Sequence, residues 1–128
     1  MTIAEYNSSL MGDDPATCEF LAETIHRALP EAVGKVWHGH PVWFIDGNPI
    51  VGYHRHKNGL RVLFWSGQSF LGTKLEPNGS FKAAGMAVGS RAEFDSAAFE
   101  SDLAQSRTIQ WDYAILQKRR ALEKLTDF

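Results

Sequence analysis

A stripe of apolar residues at helical spacing marks the first quarter of the chain. Its members recur three or four positions apart: Cys18, Leu21, Ala22, Ile25, Ala28 and Leu29. Asp14 followed by Pro15 suits a helix start, because Asp caps free backbone N–H groups and proline already has a helical φ angle. Pro30 and Gly34 end the pattern. We therefore predict a helix from Asp14, preceded by a flexible arm at residues 1–13.

From Lys35 the apolar residues alternate with polar ones, which is typical of β-strands. Five short extended segments are predicted, at residues 36–40, 42–45, 50–56, 60–65 and, after a glycine-rich loop, 81–88. Turn-forming residues separate the second, third and fourth segments: Asp46-Gly47-Asn48-Pro49 and Asn58-Gly59. Asn-Gly is a strong signal for a tight hairpin, so these segments are predicted to form an antiparallel meander.

Two helices are predicted near the C-terminus. Asp95 or Ser96 caps the first, which reaches about Gln105, and the second begins at Thr108. The apolar residues of the second recur on one side: Trp111, Ile115, Leu122 and Leu125. The predicted fold class is α+β, with an N-terminal helix, an antiparallel meander sheet of about five strands, and two C-terminal helices packed on one face. Residues 14–128 are predicted to form a single domain.

The turns also predict which residues share a face of the sheet. A two-residue Asn58-Gly59 loop places Tyr53 opposite Phe64, and the preceding turn places Phe44 opposite Val51. One face then carries Val42, Phe44, Val51, Tyr53, Val62 and Phe64. The opposite face carries Trp43, Ile45, Ile50, His54, His56, Leu63 and Trp65. Because both faces are largely apolar, one meets the helices and the other is either covered or left as a surface of aromatic and histidine side chains.

Histidines cluster in this predicted sheet as two pairs with i, i+2 spacing, His38 with His40 and His54 with His56. On a strand this spacing puts both rings of a pair on one face, and neutral imidazole is a ligand for iron or zinc. The four residues are therefore the candidate metal ligands. The interpretation that we favour is plainer: separate histidines lie beside aromatic rings and form hydrogen bonds through their nitrogens.

Trp43 and Trp65 are the candidate residues for a partner or ligand surface. Exposed aromatic side chains mark interfaces, so this face could bind a protein partner, a second copy of the chain, or a flat ligand. The alternative is that both tryptophans are core residues beneath the last helix and its Trp111.

Catalytic patterns are absent from the sequence, so we favour a non-enzymatic function. The G-x-S-x-G pattern of a nucleophile elbow does not occur, and Cys18 lies on an apolar helix stripe, where cysteine packs as a small hydrophobe. No pair of carboxylates is placed for acid–base work. The formal net charge of −2 and the lack of an extended basic patch disfavour a nucleic-acid partner.

The remaining composition predicts a cytoplasmic protein. Cys18 is the only cysteine, which excludes an intramolecular disulfide and suits a reducing compartment. The first residues lack the basic start and apolar run of a signal peptide. No apolar stretch is long enough to cross a bilayer, so no membrane partner is expected.

Three short motifs in the middle of the chain resemble the YdhG-like family, domain of unknown function 1801. They are the strand entry Trp37-His38-Gly39-His40-Pro41-Val42-Trp43-Phe44, the strand Val51-Gly52-Tyr53-His54-Arg55-His56-Lys57, and the apolar strand 60–65. The late helix at residues 90–104 is similar as well, and the resemblance spans about residues 15–125 in order. It implies a small α+β sandwich with helices on one side of an antiparallel sheet.

The same resemblance implies a role in handling intracellular iron, because some members of the family are described as frataxin-like. Frataxin-type binding uses an acidic ridge on the first helix, and the matching residues here are Asp13, Asp14, Glu19 and Glu23. His26 and Arg27 interrupt that ridge. Two hypotheses follow: a small cytosolic protein that handles a metal, or an interaction domain that uses the aromatic and histidine face.

Overall fold

The computed structural model describes residues 1–113 and 123–126. Its helices are α1 (Ile3–Ser8), α2 (Asp14–Ala28) and α3 (Ser96–Ser106), with a short 3-10 turn at Gly67–Ser69. Its strands are β1 (Val33–Trp37), β2 (His40–Ile45), β3 (Asn48–His56), β4 (Gly59–Phe64), β5 (Glu76–Pro77) and β6 (Ala84–Ala87). They form one antiparallel sheet in the order β1-β2-β3-β4-β6-β5. The predicted α+β fold class is confirmed.

The described helices pack on one face of the sheet, which we call the core face. Each helix places a ring against a ring of the sheet: Tyr6 of α1 on Tyr53, His26 of α2 on Trp43, and Phe99 of α3 on Phe64, with centroids 6.4, 5.5 and 5.9 Å apart. Leu21 and Ile25, from the predicted stripe of α2, are fully buried in the same core. Burial of these rings and aliphatic side chains is the main stabilising term of the fold.

Residues 1–13 are not the flexible arm that the sequence predicted. Thr2 caps helix α1 through a reciprocal pair of hydrogen bonds: the Glu5 backbone N–H donates to Thr2 Oγ1 at 3.1 Å, and the Thr2 N–H donates to Glu5 Oε1 at 2.9 Å. The buried Asn7 then accepts a hydrogen bond from the Tyr53 hydroxyl at 2.7 Å. A six-residue helix is too short to show a period, so the prediction failed here.

The predicted register between β2 and β3 is wrong by one residue. Asp46 and Gly47 have positive φ angles of 49° and 80° and form a two-residue turn, whereas the prediction used all four residues 46–49. That turn alone displaces the register by two residues, and the irregularity between Trp43 and Phe44 reduces the displacement to one. Because side chains alternate, β2 exchanges its faces: Trp43 lies opposite Val51 on the core face and is fully buried.

The predicted register between β3 and β4 is displaced by two residues, which keeps the faces. His56 lies opposite Gly59, so the turn is Lys57-Asn58 rather than Asn58-Gly59. Tyr53 therefore faces Val62 instead of Phe64. All three side chains still lie on the core face, as the sequence predicted, because a shift of two preserves the alternation.

The segment predicted as one strand at residues 36–40 is a hairpin turn. Trp37 pairs with His40, and the turn residues His38 and Gly39 both have positive φ angles, of 51° and 87°. A non-glycine residue seldom adopts this conformation, so the alternation rule had no way to place a turn at His38. The turn creates β1 and brings Trp37 beside β2.

The two predicted C-terminal helices have different outcomes. Helix α3 is capped by Asp95, whose carboxylate accepts from the Ala98 N–H at 3.0 Å, as predicted. Residues 108–113 are not helical: Trp111 instead forms an isolated antiparallel bridge with Lys124. The rest of the predicted last helix, residues 114–122, lies outside the described residues. In the ranges that the structure describes, no helix has the length and apolarity needed to cross a membrane.

A buried carboxyl on α3 gives a prediction about stability. Asp102 is 2% exposed, and burial raises its pKa, while a hydrogen bond with Thr73 partly offsets that rise. A raised pKa in the folded state means that stability is greatest below the unfolded pKa of about 3.9 and falls as the carboxyl ionises at higher pH. We expect Asp102→Asn to raise the free energy of unfolding at pH 7. Urea denaturation at pH 4 and pH 7 checks this, and a gain as large at pH 4 would contradict it.

Candidate functional site

Three aromatic rings meet on the sheet face opposite the core face. Trp37 ends β1, Phe44 lies in β2, and Trp65 directly follows β4. The centroid of the Trp37 ring lies 5.4 Å from that of Phe44, at an interplanar angle of 80°, and 6.3 Å from that of Trp65, at 46°. These rings line a cleft of about 680 Å³, which we call the aromatic cleft.

The local folding of β1 and β2 explains why these rings meet. The turn at His38-Gly39 pairs Lys35 with Val42 and Trp37 with His40, so Trp37 lies on the side of the sheet that Lys35 shares. The irregularity after Trp43 sends Trp43 to the core face and leaves Phe44 in the cleft together with Pro49. The irregularity that exchanges the predicted faces of β2 thus also places Phe44 in the cleft.

Gly52 allows the third ring to lie close to the sheet. A Cβ atom at this position would meet Trp65 Cζ3 at 3.4 Å and the backbone oxygen of Pro41 at 2.5 Å. A side chain of any size is therefore excluded on this side of β3. The missing side chain leaves room for the Trp65 ring above the strand.

The end of the cleft is closed by the segment that follows α3. The Tyr113 hydroxyl donates to the Trp65 carbonyl oxygen at 2.6 Å. The buried Asn48 amide nitrogen donates to the Trp111 carbonyl at 2.9 Å and to Gln110 Oε1 at 3.1 Å, while Asn48 Oδ1 accepts from the Tyr113 N–H at 3.0 Å. Sequence reasoning treated Asn48 as a turn residue and missed that its side chain holds this segment in place.

Charged side chains stand at the rim of the cleft. Lys35 places its Nζ atom 4.8 Å from the centroid of the Phe44 ring, within the range of a cation–π contact. Glu31 forms an ion pair with Arg107, with 2.7 Å between the guanidinium and Glu31 Oε2. Asp46 is exposed in its turn and lines the cleft as well.

Three of the four candidate histidines lie near one another, and His54 and His56 line a concavity other than the aromatic cleft. The ring centroids of His40 and His54 are 5.3 Å apart, and those of His54 and His56 are 6.0 Å apart. His38 is separate, since its ring lies against Trp37 at 4.3 Å. The predicted register had placed His40 and His54 on opposite faces, and the same one-residue shift that buried Trp43 brings them together.

Burial lowers the pKa of both His40 and His54, and neighbouring histidines lower it further. Neutral rings in this pair are thus favoured at pH 7.

The described residues form no metal centre with three or more protein ligands. Among residues 1–113 and 123–126, no group of three or more His, Cys, Asp or Glu side chains is arranged to hold an ion. In the predicted acidic ridge, Asp14 is already paired with Arg55 at 3.1 Å. The metal assignment of His38, His40, His54 and His56 therefore stays a prediction.

Of the two tryptophans assigned to a binding face, the structure keeps one there. Trp43 is fully buried under α2 and lies on the core face, whereas Trp65 is half-buried in the aromatic cleft. Trp37 and Phe44 were missed as members of that face. Recognising His38-Gly39 as a turn would have found Trp37, since β1 would then alternate with Lys35 and Trp37 on one side. Cys18 is buried, and desolvation raises the pKa of its thiol to about 12, which agrees with the core position predicted for it.

The histidine pair predicts how stability responds to acid. A pKa lowered in the folded state means that stability is complete above the unfolded pKa of about 6.5 and is lost as the pH falls below it. We expect a His40→Gln/His54→Gln variant to lose less free energy of unfolding between pH 7 and pH 5 than the parent protein. Denaturant titrations at both pH values measure this, and identical losses in the two proteins would contradict it.

Comparison with protein-family models, with curated proteins and with solved structures finds no match to this chain. The resemblance to the YdhG-like family stays a prediction.

Proposed function

We propose that this domain is a non-catalytic binding protein of the cytoplasm and that its site is the aromatic cleft. The observation that carries the proposal is the convergence of Trp37, Phe44 and Trp65 on one concavity. Its volume of about 680 Å³ lies within the range of small-molecule sites, which are lined mainly by apolar and aromatic side chains. The sequence left a protein partner, a second copy and a flat ligand open for this face. A recessed surface of this size fits a small ligand better.

The hydroxyl groups near the cleft support binding rather than catalysis. Ser66 Oγ accepts a hydrogen bond from the Trp111 backbone N–H, and Ser69 Oγ accepts one from Trp111 Nε1, each at 2.9 Å. The Tyr113 hydroxyl is bonded to the Trp65 carbonyl. These groups hold the walls of the cleft together. The only thiol, Cys18, is buried in the core, so it does not reach the cleft.

The experiment that tests this function is a calorimetric screen of small aromatic, cationic, anionic and neutral fragments against the purified protein. We expect at least one class to bind with a stoichiometry of one. We also expect Trp37→Ala and Trp65→Ala each to weaken that binding by about tenfold or more, since each removes a face of the site.

Leu71→Ala is the matched control, because Leu71 is an exposed apolar residue that does not line the cleft. This variant should bind as the parent protein does. A complete lack of binding in the screen, or binding that both tryptophan variants retain, would show that the cleft is not the functional site.

The second candidate function is metal handling, and the close pair of His40 and His54 favours it. Neutral imidazoles 5.3 Å apart could supply two nitrogen ligands to zinc or iron, with water as the remainder. Calorimetric titration of tag-free protein with zinc and with ferrous iron tests it. Stoichiometric binding that is lost in His54→Ala/His56→Ala supports this candidate, and no binding of either ion at neutral pH rules it out for these ions.

A further inference from the structure

The three rings of the aromatic cleft are steeply inclined to one another. The Trp37 and Phe44 rings are nearly perpendicular at 80°, and the Trp65 ring is tilted by 46° from that of Trp37. The face of an aromatic ring carries partial negative charge, so several rings around one space attract a cation. Sites that bind quaternary ammonium groups use this principle, because such groups have no N–H to donate.

Lys35 shows that a cation is accommodated on this surface. Its ammonium lies 4.8 Å from the centroid of Phe44, on a side chain that is exposed. The Lys35 ammonium is strongly hydrated and remains attached to the strand, so it covers one ring without filling the cleft. A free cation that entered the cleft would compete with Lys35 for the face of Phe44.

The carboxylates at the rim add charge of the complementary sign. Glu31 is partly neutralised by Arg107, whereas Asp46 lines the cleft from the exposed turn between β2 and β3. An anionic ligand would be attracted by Lys35, but it would also meet Asp46, Glu31 and the negative ring faces. A neutral apolar ligand would gain apolar contact with the rings but no attraction from the carboxylates or from the charge of the ring faces. The charges and the rings together favour a cation with an apolar surface.

We propose, building on the cleft as the functional site, that its ligand is a free small molecule with a methylated ammonium group. The methyl groups would contact Trp37, Phe44 and Trp65, and Asp46 would balance the charge. A small molecule is the expected source because the cleft is a bounded concavity of small-molecule size. A methylated lysine of a protein or a lipid headgroup would present the same ammonium group. Comparisons with a peptide and with lipid vesicles, given below, distinguish these sources from a free small molecule.

The test compares choline with 3,3-dimethylbutan-1-ol, its uncharged analogue of nearly the same shape, by calorimetry on the full chain. Choline should bind at least about tenfold more tightly than the alcohol, since only choline gains the cation–π attraction. Equal binding of the two compounds, or tighter binding of the alcohol, overturns the inference while leaving the cleft as a binding site. If neither compound nor any fragment of the screen binds, both proposals fail.

Two substitutions at the rim separate charge from shape. Lys35→Met keeps an unbranched stem and removes the competing ammonium, so choline should bind several-fold more tightly while the alcohol is unaffected. Asp46→Asn removes a carboxylate at a turn conformation that Asn tolerates, and it should weaken choline alone. Unchanged choline affinity in both variants overturns the inference.

The same protein is used to test whether the methylated ammonium belongs to a free small molecule, to a protein or to a lipid. A peptide that carries trimethyllysine should bind no more tightly than free trimethyllysine, and phosphatidylcholine vesicles should not retain the protein. Binding to the peptide at least tenfold tighter than to the free amino acid, or retention on the vesicles, overturns the small-molecule assignment.

Discussion

Replacing Gly52 with alanine is expected to lower the free energy of unfolding by about 3 kcal/mol, because the new methyl group has no space in the sheet. Its Cβ would lie 2.5 Å from the Pro41 carbonyl oxygen on the adjacent strand and 3.2 Å from Val42 Cγ2. The backbone oxygen cannot rotate away as a flexible side chain would, so β2 or β3 must move. Urea denaturation with an unchanged m-value measures the loss.

The matched comparison for Gly52→Ala is Gly39→Ala. A Cβ at Gly39 meets nothing within 4 Å, although its φ of +87° is costly for alanine. That change should cost about 1 to 2 kcal/mol from backbone strain alone. A loss for Gly52→Ala that is no larger than the loss for Gly39→Ala would show that the sheet has room for a side chain at position 52, so that the packing of Trp65 does not require glycine there.

Replacing Asn48 with alanine is expected to have an effect of similar size, about 3 kcal/mol, because one buried side chain makes three hydrogen bonds. The substitution leaves the Gln110 side chain, the Trp111 carbonyl and the Tyr113 N–H without this partner. These groups meet at a buried position, since Asn48 is 4% exposed. The segment that closes the end of the aromatic cleft should loosen as well. Amide hydrogen exchange at Tyr113 should therefore become faster.

Asn58→Ala is the matched control for Asn48→Ala, because Asn58 is an exposed asparagine in another turn of the same sheet. Its substitution should change the free energy of unfolding by less than about 0.5 kcal/mol. If Asn48→Ala were as mild as this control, the hydrogen bonds of Asn48 would not be what holds residues 110–113 against the sheet.

The helices could be predicted from the sequence because their signals are local. The stripe through Leu21 and Ile25 and the pair Asp14-Pro15 locate α2, and the Asp95 carboxylate caps α3 as expected. The failure at α1 has the opposite cause. Its six residues span too few turns for a period, and Asn7 is held by Tyr53, which lies 46 positions away in the sequence.

The antiparallel sheet was predicted from the sequence, but the residues that line the cleft depend on one turn and one strand irregularity. Both Asp46-Gly47 and a four-residue turn agree with the sequence, but this choice shifts the register by two residues and keeps the faces. The irregularity between Trp43 and Phe44 is what moves Trp43 to the core face. His38 adopts a positive φ that few non-glycine residues adopt, so the hairpin containing Trp37 gave no signal. The candidate site was thus predicted in part: Trp65 was found, whereas Trp37 depended on a turn and Phe44 on a strand irregularity that composition does not determine.

The aromatic cleft as a ligand site is tested most directly by the indole N–H resonances of the four tryptophans during titration with a fragment that binds in the calorimetric screen. The cleft predicts saturable shifts at Trp37 and Trp65, which line it. Trp43, fully buried in the core, and Trp111, whose Nε1 is bonded to Ser69, should stay in place. Shifts confined to Trp43 or Trp111, or none at Trp37 and Trp65 at saturation, would contradict the assignment.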